Sequence, residues 1–213
     1  MDISFYIDPI CPWCWITSRW MVDVMRDRNL NVIFKPFSLA IKNDVLHKDS
    51  DSPYAGPSRE THRILRVMES VRKQYGDKAV SDLYSEVGHK LHNEGETTTE
   101  WLSFVLDSLK LDTMHIQAAD DESFDSIIEK YMEEAFEVCG TDIGTPVLRI
   151  ESEDGPRGFF GPVISELPEH QEGLKLWDGI STMIAFPNFY ELKRTREVGP
   201  NVDSTERLFT EES

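Results

Sequence analysis

Apolar and polar residues alternate from the start of the chain. Ile3, Phe5 and Ile7 alternate with Ser4, Tyr6 and Asp8, which predicts a strand. Asp8-Pro9-Ile10 reads as a loop. A helix is expected from about Pro12 to Arg28, with Ile16, Trp20, Met21 and Val24 on its apolar face and Pro12 tolerated in its first turn. Asn29 breaks it, and residues 31–37 form a second strand. Residues 43–58 are polar and rich in Asp, Ser and Pro, so they predict a loop. Helical spacing then recurs over about 59–75, 77–92, 98–109 and 121–138, with Asp77 and Thr98 as expected caps. Ile64, Leu65, Met68 and Val71, like Leu102, Val105 and Leu106, follow one another at three- and four-residue spacing and predict core. After Gly140 the strand pattern returns at 145–150. Ser152-Glu153-Asp154-Gly155 signals a hairpin turn, and 157–161 is the partner strand. A terminal helix is expected from Pro168 to about Met183, and the last dozen residues read as frayed.

The order β-α-β, helices, β-β-α predicts an α/β chain: a thioredoxin fold with an inserted all-helical domain. Residues 1–40 and 140–200 make the expected thioredoxin-fold domain, 41–139 the insertion, and 201–213 a disordered tail. With 213 residues and an apolar fraction of 39%, a substantial core is within reach. The formal charge of -17 argues against nucleic acid and anionic membrane as partners, since both need a basic surface. No stretch approaches the roughly 20 apolar residues of a membrane span. Met1-Asp2-Ile3-Ser4 runs straight into the first strand, with no basic and apolar leader, so a cytoplasmic location is expected.

In a reducing compartment, two cysteines spaced C-x-x-C are redox-active or metal-binding sooner than a structural staple. Cys11-Pro12-Trp13-Cys14 is such a pair, at the strand-to-helix junction. Cys11, at the expected helix N-cap, is the expected exposed nucleophile, because the positive helix end favours a thiolate. Cys14, one turn inward, is the expected buried resolving thiol. Pro12 and Trp13 add no positive charge, which leaves the helix end as the main source of the pKa depression. A zinc site needs four ligands, and only Cys139 and scattered His remain, so no metal is expected. Cys139, late in a helix, reads as structural. Gly144-Thr145-Pro146 opens the strand after the insertion, and a cis Thr145–Pro146 bond facing the dithiol is expected there.

The extended block Asp8-Pro9-Ile10-Cys11-Pro12-Trp13-Cys14-Trp15-Ile16-Thr17-Ser18-Arg19-Trp20, with Ser38 to Ile41, His92 to Gly95, Gly144-Thr145-Pro146, Phe159 to Pro162 and Phe189 to Arg196, resembles the DsbA-like branch of the thioredoxin superfamily. It is most similar to the mycothiol-dependent nitroreductases. The resemblance implies a cytosolic thiol-disulfide oxidoreductase with Cys11 and Cys14 as catalytic residues. It implies mycothiol as a low-molecular-weight co-substrate, no tightly bound cofactor, and disulfides or nitro compounds as acceptors. It further implies that Pro12, Trp13, Asn43, Tyr54, His92, Thr145 and Pro146 line the thiol site. His89, one turn before His92, reads as solvent-facing. Three other readings compete: a kappa-type glutathione transferase or isomerase, an exported DsbA-like oxidant, and a non-catalytic module. Cys14 argues against the first, because those enzymes need no resolving thiol. The oligomeric state, a homodimer included, is left open.

Overall fold

The computed structural model describes residues 1–210. Strand β1 (Asp2–Ile7) leads into helix α1 (Pro12–Met25), and β2 (Asn31–Pro36) returns parallel to β1. Helices α2 (Leu39–Lys42), α3 (Ala55–His92), α4 (Leu102–Ser108) and α5 (Asp125–Cys139) follow. Strands β3 (Val147–Ile150) and β4 (Arg157–Phe160) form an antiparallel hairpin, and helix α6 (His170–Ala185) packs behind it. The sheet order is β2-β1-β3-β4, with Ile3 opposite Ile150 in the antiparallel pair. This is the thioredoxin arrangement that the element order predicts.

Alternation along β1 divides the two faces of the sheet. Phe5 meets Phe34 edge-on at 5.5 Å, and Tyr84 of α3 packs on Phe34 at 5.4 Å. On the other side Tyr6 donates to Glu134 of α5 at 3.0 Å, and Lys35 pairs with the same carboxylate at 2.6 Å. Helices α1 and α6 are joined by Trp20, whose indole N–H donates to Gly173 O at 3.0 Å. Among the described residues no helix is long and apolar enough to cross a membrane.

Several boundaries differ from expectation, each for a local reason. Helix α1 stops at Met25 rather than Arg28, because Asn29 takes a left-handed φ of 49°. The expected break near residue 76 is present inside α3, where Gly76 has a φ of 81°. Helix α3 starts at Ala55, inside the expected loop, and α2 is an unexpected turn of helix capped by Ser38. Asp77 pairs with Arg72 instead of capping, and α4 starts at Leu102, beyond Thr98. A 3-10 helix over Thr113–Asp120 was not legible either.

The tail is the largest correction. Residues 202–210 are not frayed: a 3-10 turn (Val202–Thr205) and helix α7 (Arg207–Thr210) fold back on the domain, with Thr205 fully buried. Residues 211–213 of the expected tail lie outside the described residues.

Candidate active site

The dithiol stands where β1 turns into α1. Asp8 builds that turn: its carboxylate accepts from the N–H of Ile10 at 3.0 Å and from the N–H of Leu39 at 2.7 Å, and its carbonyl accepts from Cys11 N at 3.0 Å. One buried side chain therefore holds the loops after β1 and β2 together. Cys11 is the N-cap of α1, Pro12 occupies the first turn, and the Cys14 N–H donates to Cys11 Sγ at 3.4 Å. All three cysteines are free thiols.

Cys11 is recessed, at 7% exposure, which corrects the expectation of an exposed nucleophile; Cys14 lies deeper, at 0%. The Cys11 thiol donates to Thr145 O at 3.7 Å, so the proline loop closes over the sulfur. The Thr145–Pro146 bond is cis, as is Gly161–Pro162.

The two thiols are polarised in opposite directions. A hydrogen bond from the Cys14 thiol holds the Cys11 pKa below that of an ordinary thiol; the Thr145 side chain and the Cys14 N–H add to this, while burial and the Asp8 charge oppose it. Burial first, then the neighbouring Cys11, raises Cys14 well above the ordinary range. Cys139, at the C-terminal end of α5, is pushed up to about 11 by burial. Of the three thiols, Cys11 is the one held below the ordinary range.

Asp8 was missed as a site residue, since an Asp before Pro reads as turn chemistry. It is fully buried, and burial pushes its pKa up from 3.8 to about 6. The folded state thus binds the Asp8 proton more tightly than the unfolded chain does. Stability from this group is present below pH 4 and is lost as pH rises through about 6, by on the order of 3 kcal/mol. Asp8→Asn is expected to flatten that pH dependence in denaturant unfolding and to lower the Cys11 pKa further. An unchanged slope between pH 4 and 7 would contradict this role.

Trp13 is half-buried, with the Arg196 guanidinium 5.4 Å from its ring centroid. Trp15, by contrast, is fully buried and central. Its indole N–H reaches Asn93 Oδ1 at 2.9 Å and Thr205 Oγ1 at 3.1 Å, and the rings of His92 and Phe209 each stack at 6.0 Å. The Arg19 guanidinium lies 4.4 Å from the Trp15 ring centroid. Helix α1, the end of α3 and the C-terminal turn thus meet on one side chain.

His92 Nε2 donates to Pro9 O at 2.8 Å, and burial lowers the His92 pKa to about 4, so the ring is neutral near pH 7. It braces the loop before Cys11. His89 is not solvent-facing: it packs on Phe209 at 4.4 Å and approaches Glu94 at 3.2 Å. Asn43 is the exposed C-cap of α2, and Tyr54, 72% exposed, precedes α3. Neither hydrogen-bonds to Cys11, Cys14 or Thr145 among the described residues. Ser38, Leu39 and the neighbouring His62 tie α2 into the site. His62 bridges Ser38 Oγ at 2.9 Å and Asp125 Oδ1 at 3.0 Å, and Arg66 holds Asp125 from behind. Leu39 stands against Gly144, where a Cβ would lie 3.9 Å from Leu39 Cδ2.

A thioredoxin fold with a helical layer, a dithiol at the N-terminus of α1 and a cis-proline loop over its first sulfur defines a DsbA-like protein of the thiol-disulfide oxidoreductase class. Within that class the chain belongs to the Rv2466c-like family, described as mycothiol-dependent nitroreductase Rv2466c, whose pattern it matches over residues 10–194. It is 24% identical over 198 residues to the uncharacterized protein Rv2286c of Mycobacterium tuberculosis, covering 91% of this chain and 82% of that one. Among solved structures it is similar to the cytosolic disulfide reductase DsbM from Pseudomonas aeruginosa, with TM-score 0.57 and 12% identity, covering 85% of this chain and 99% of that one. It is also similar to the probable DsbA oxidoreductase SCO1869 from Streptomyces coelicolor, with TM-score 0.54 and 14% identity, covering 94% and 97%.

Proposed function

We propose that this chain is a cytoplasmic oxidoreductase that takes electrons from mycothiol through Cys11 and Cys14 and passes them to disulfides or nitro compounds. The observation that carries the reading is the opposite polarisation of the two thiols at one helix end. The Cys11 thiolate attacks an acceptor disulfide, forming a mixed disulfide and releasing one thiolate. Cys14 then attacks Cys11 Sγ, closing the protein disulfide and releasing the second. Two mycothiols reverse the change: one attacks Cys11 Sγ, the other attacks the resulting mixed disulfide, and mycothiol disulfide leaves. In this reading residues 1–40 and 140–200 hold the chemistry, while 41–139 supply the wall of the thiol cleft. Trp13, Thr145 and Pro146 flank the bound thiol. Pro12 shapes the helix start, and Asn43, Tyr54 and His92 contact the thiol from the helical side.

Thiol counting tests this. Mild oxidation of the reduced protein should remove two titratable thiols, with peptide mapping placing the bond between Cys11 and Cys14 and leaving Cys139 free. Retention of all three thiols, or a bond to Cys139, would sink the reading.

Thr145 gives a sharper handle. Its hydroxyl is buried without a partner that satisfies hydrogen-bond geometry, yet it stands close enough to lower the Cys11 pKa. A hydroxyl in this position has more to gain from a thiolate than from a thiol. Thr145→Val should raise the Cys11 pKa by about one unit, the worth of one hydrogen bond. Alkylation rate against pH measures it, and an unmoved midpoint would remove Thr145 from this role.

A further inference from the structure

The segment between α6 and the C-terminal turn has no regular structure, yet it is anchored at both ends and at two points between them. Arg157 Nη1 donates to Ala185 O at 2.7 Å at its start, and Asn201 N donates to Ser165 O at 2.7 Å at its end. Between them Phe189 meets Phe159 of β4 edge-on at 5.6 Å, and Arg196 lies over Trp13 at 5.4 Å. The strap therefore runs to Trp13, one of the two residues between the cysteines.

Its charge is out of character with the rest of the molecule. The chain has 39 acidic and 22 basic residues, and several of its braced arginines pair with carboxylates: Arg66 with Asp125, Arg72 with Glu69, Arg149 with Glu137. Lys193, Arg194 and Arg196 are exposed, and among the described residues none has a carboxylate within 4.0 Å, although Glu191 and Glu197 flank them in sequence. A net charge of -17 repels an approaching anion. Arg196 stands over Trp13 beside the dithiol, Lys193 and Arg194 precede it by three and two residues, and this run of positive charge opposes that repulsion locally; guanidinium forks match carboxylate and phosphate geometry.

We propose that Lys193, Arg194 and Arg196 form the recognition surface for an anionic electron acceptor, a small disulfide bearing carboxylate or phosphate groups, delivered to Cys11 alongside Trp13. The inference rests on the dithiol reading above and names its substrate class. In the reaction the dithiol gives up two electrons and two protons; the acceptor S–S bond breaks, the Cys11–Cys14 bond forms, and two acceptor thiols leave. A small acceptor is favoured over a protein surface because Cys11 is recessed to 7% exposure.

The test compares two aromatic disulfides as oxidants of the reduced full-length protein: dithiobis(nitrobenzoate), with two carboxylates, and neutral dithiodipyridine. The quantity read is the ratio of their second-order rate constants, so any effect of a variant on Trp13 or on the fold cancels. Arg194→Gln/Arg196→Gln should lower the anionic-to-neutral ratio about tenfold. Lys193→Gln/Arg194→Gln, which leaves the Arg196–Trp13 contact intact, should lower it as well. In the wild type the ratio should fall as ionic strength rises from about 0.01 M to about 1 M, where the Debye length shrinks from about 30 Å to about 3 Å. A ratio within twofold of wild type in both variants, or one insensitive to salt, overturns the proposal. If neutral dithiodipyridine does not close the Cys11–Cys14 bond in the wild type, the dithiol reading itself fails and the proposal falls with it.

Discussion

Cys11→Ser is expected to abolish exchange with disulfides, lowering the rate by at least about a thousandfold, and Cys14→Ser is expected to accumulate as a mixed disulfide. The asymmetry follows from the site. Cys11 receives the Cys14 N–H and thiol, and its sulfur lies under Thr145. Cys14 is fully buried, and burial raises its pKa well above the ordinary range. In the proposed reaction, removing Cys11 removes the nucleophile, and removing Cys14 removes only the second step. Cys139 offers no substitute, since burial pushes its pKa up to about 11. Intact-mass spectrometry after exposure to mycothiol disulfide reads the outcome. An adduct on Cys11→Ser, or none on Cys14→Ser, would reverse the roles.

Gly88→Ala is expected to destabilise the protein by at least about 2 kcal/mol, lowering Tm by roughly 4–8 °C. On helix propensity alone the change should gain up to about 1 kcal/mol. Packing decides against it. A Cβ at Gly88 would lie 2.3 Å from two ring carbons of Trp15. That ring has nowhere to go, because Arg19, His92 and Phe209 surround it and its N–H is tied to Asn93 and Thr205. Combining Gly88→Ala with Trp15→Phe should recover part of the loss, since the smaller ring relieves the contact. Thermal unfolding checks both, and a Tm at or above wild type in the single variant would contradict the packing account.

These cases mark how far the sequence reaches. The β1-α1-β2 unit, the break at Gly76 and the hairpin at Ser152–Gly155 are legible because their signals are local: alternation of period two, a left-handed glycine, a turn tetrad. The dithiol is legible because two cysteines at that spacing before a helix have few other uses. The Trp15 cluster was not, since its partners lie 78 and 190 residues away. For the same reason the last turn of the chain reads as a polar tail until Thr205 and Phe209 are seen against the indole. The recess of Cys11 depends on the Thr145 loop, 134 residues away, and not on the helix that caps with it. Asp8 is ordinary loop chemistry in one dimension and a buried carboxylate in three.

The most direct test of the whole account is reduction of the oxidised protein by matched concentrations of mycothiol and glutathione, followed by tryptophan fluorescence from the indoles beside the dithiol. Two equivalents of mycothiol are expected to reopen the Cys11–Cys14 disulfide, and glutathione to do so at least about tenfold more slowly, a difference near 1.4 kcal/mol in the barrier. A disulfide that glutathione reduces as fast as mycothiol does, or that mycothiol leaves closed, would contradict it.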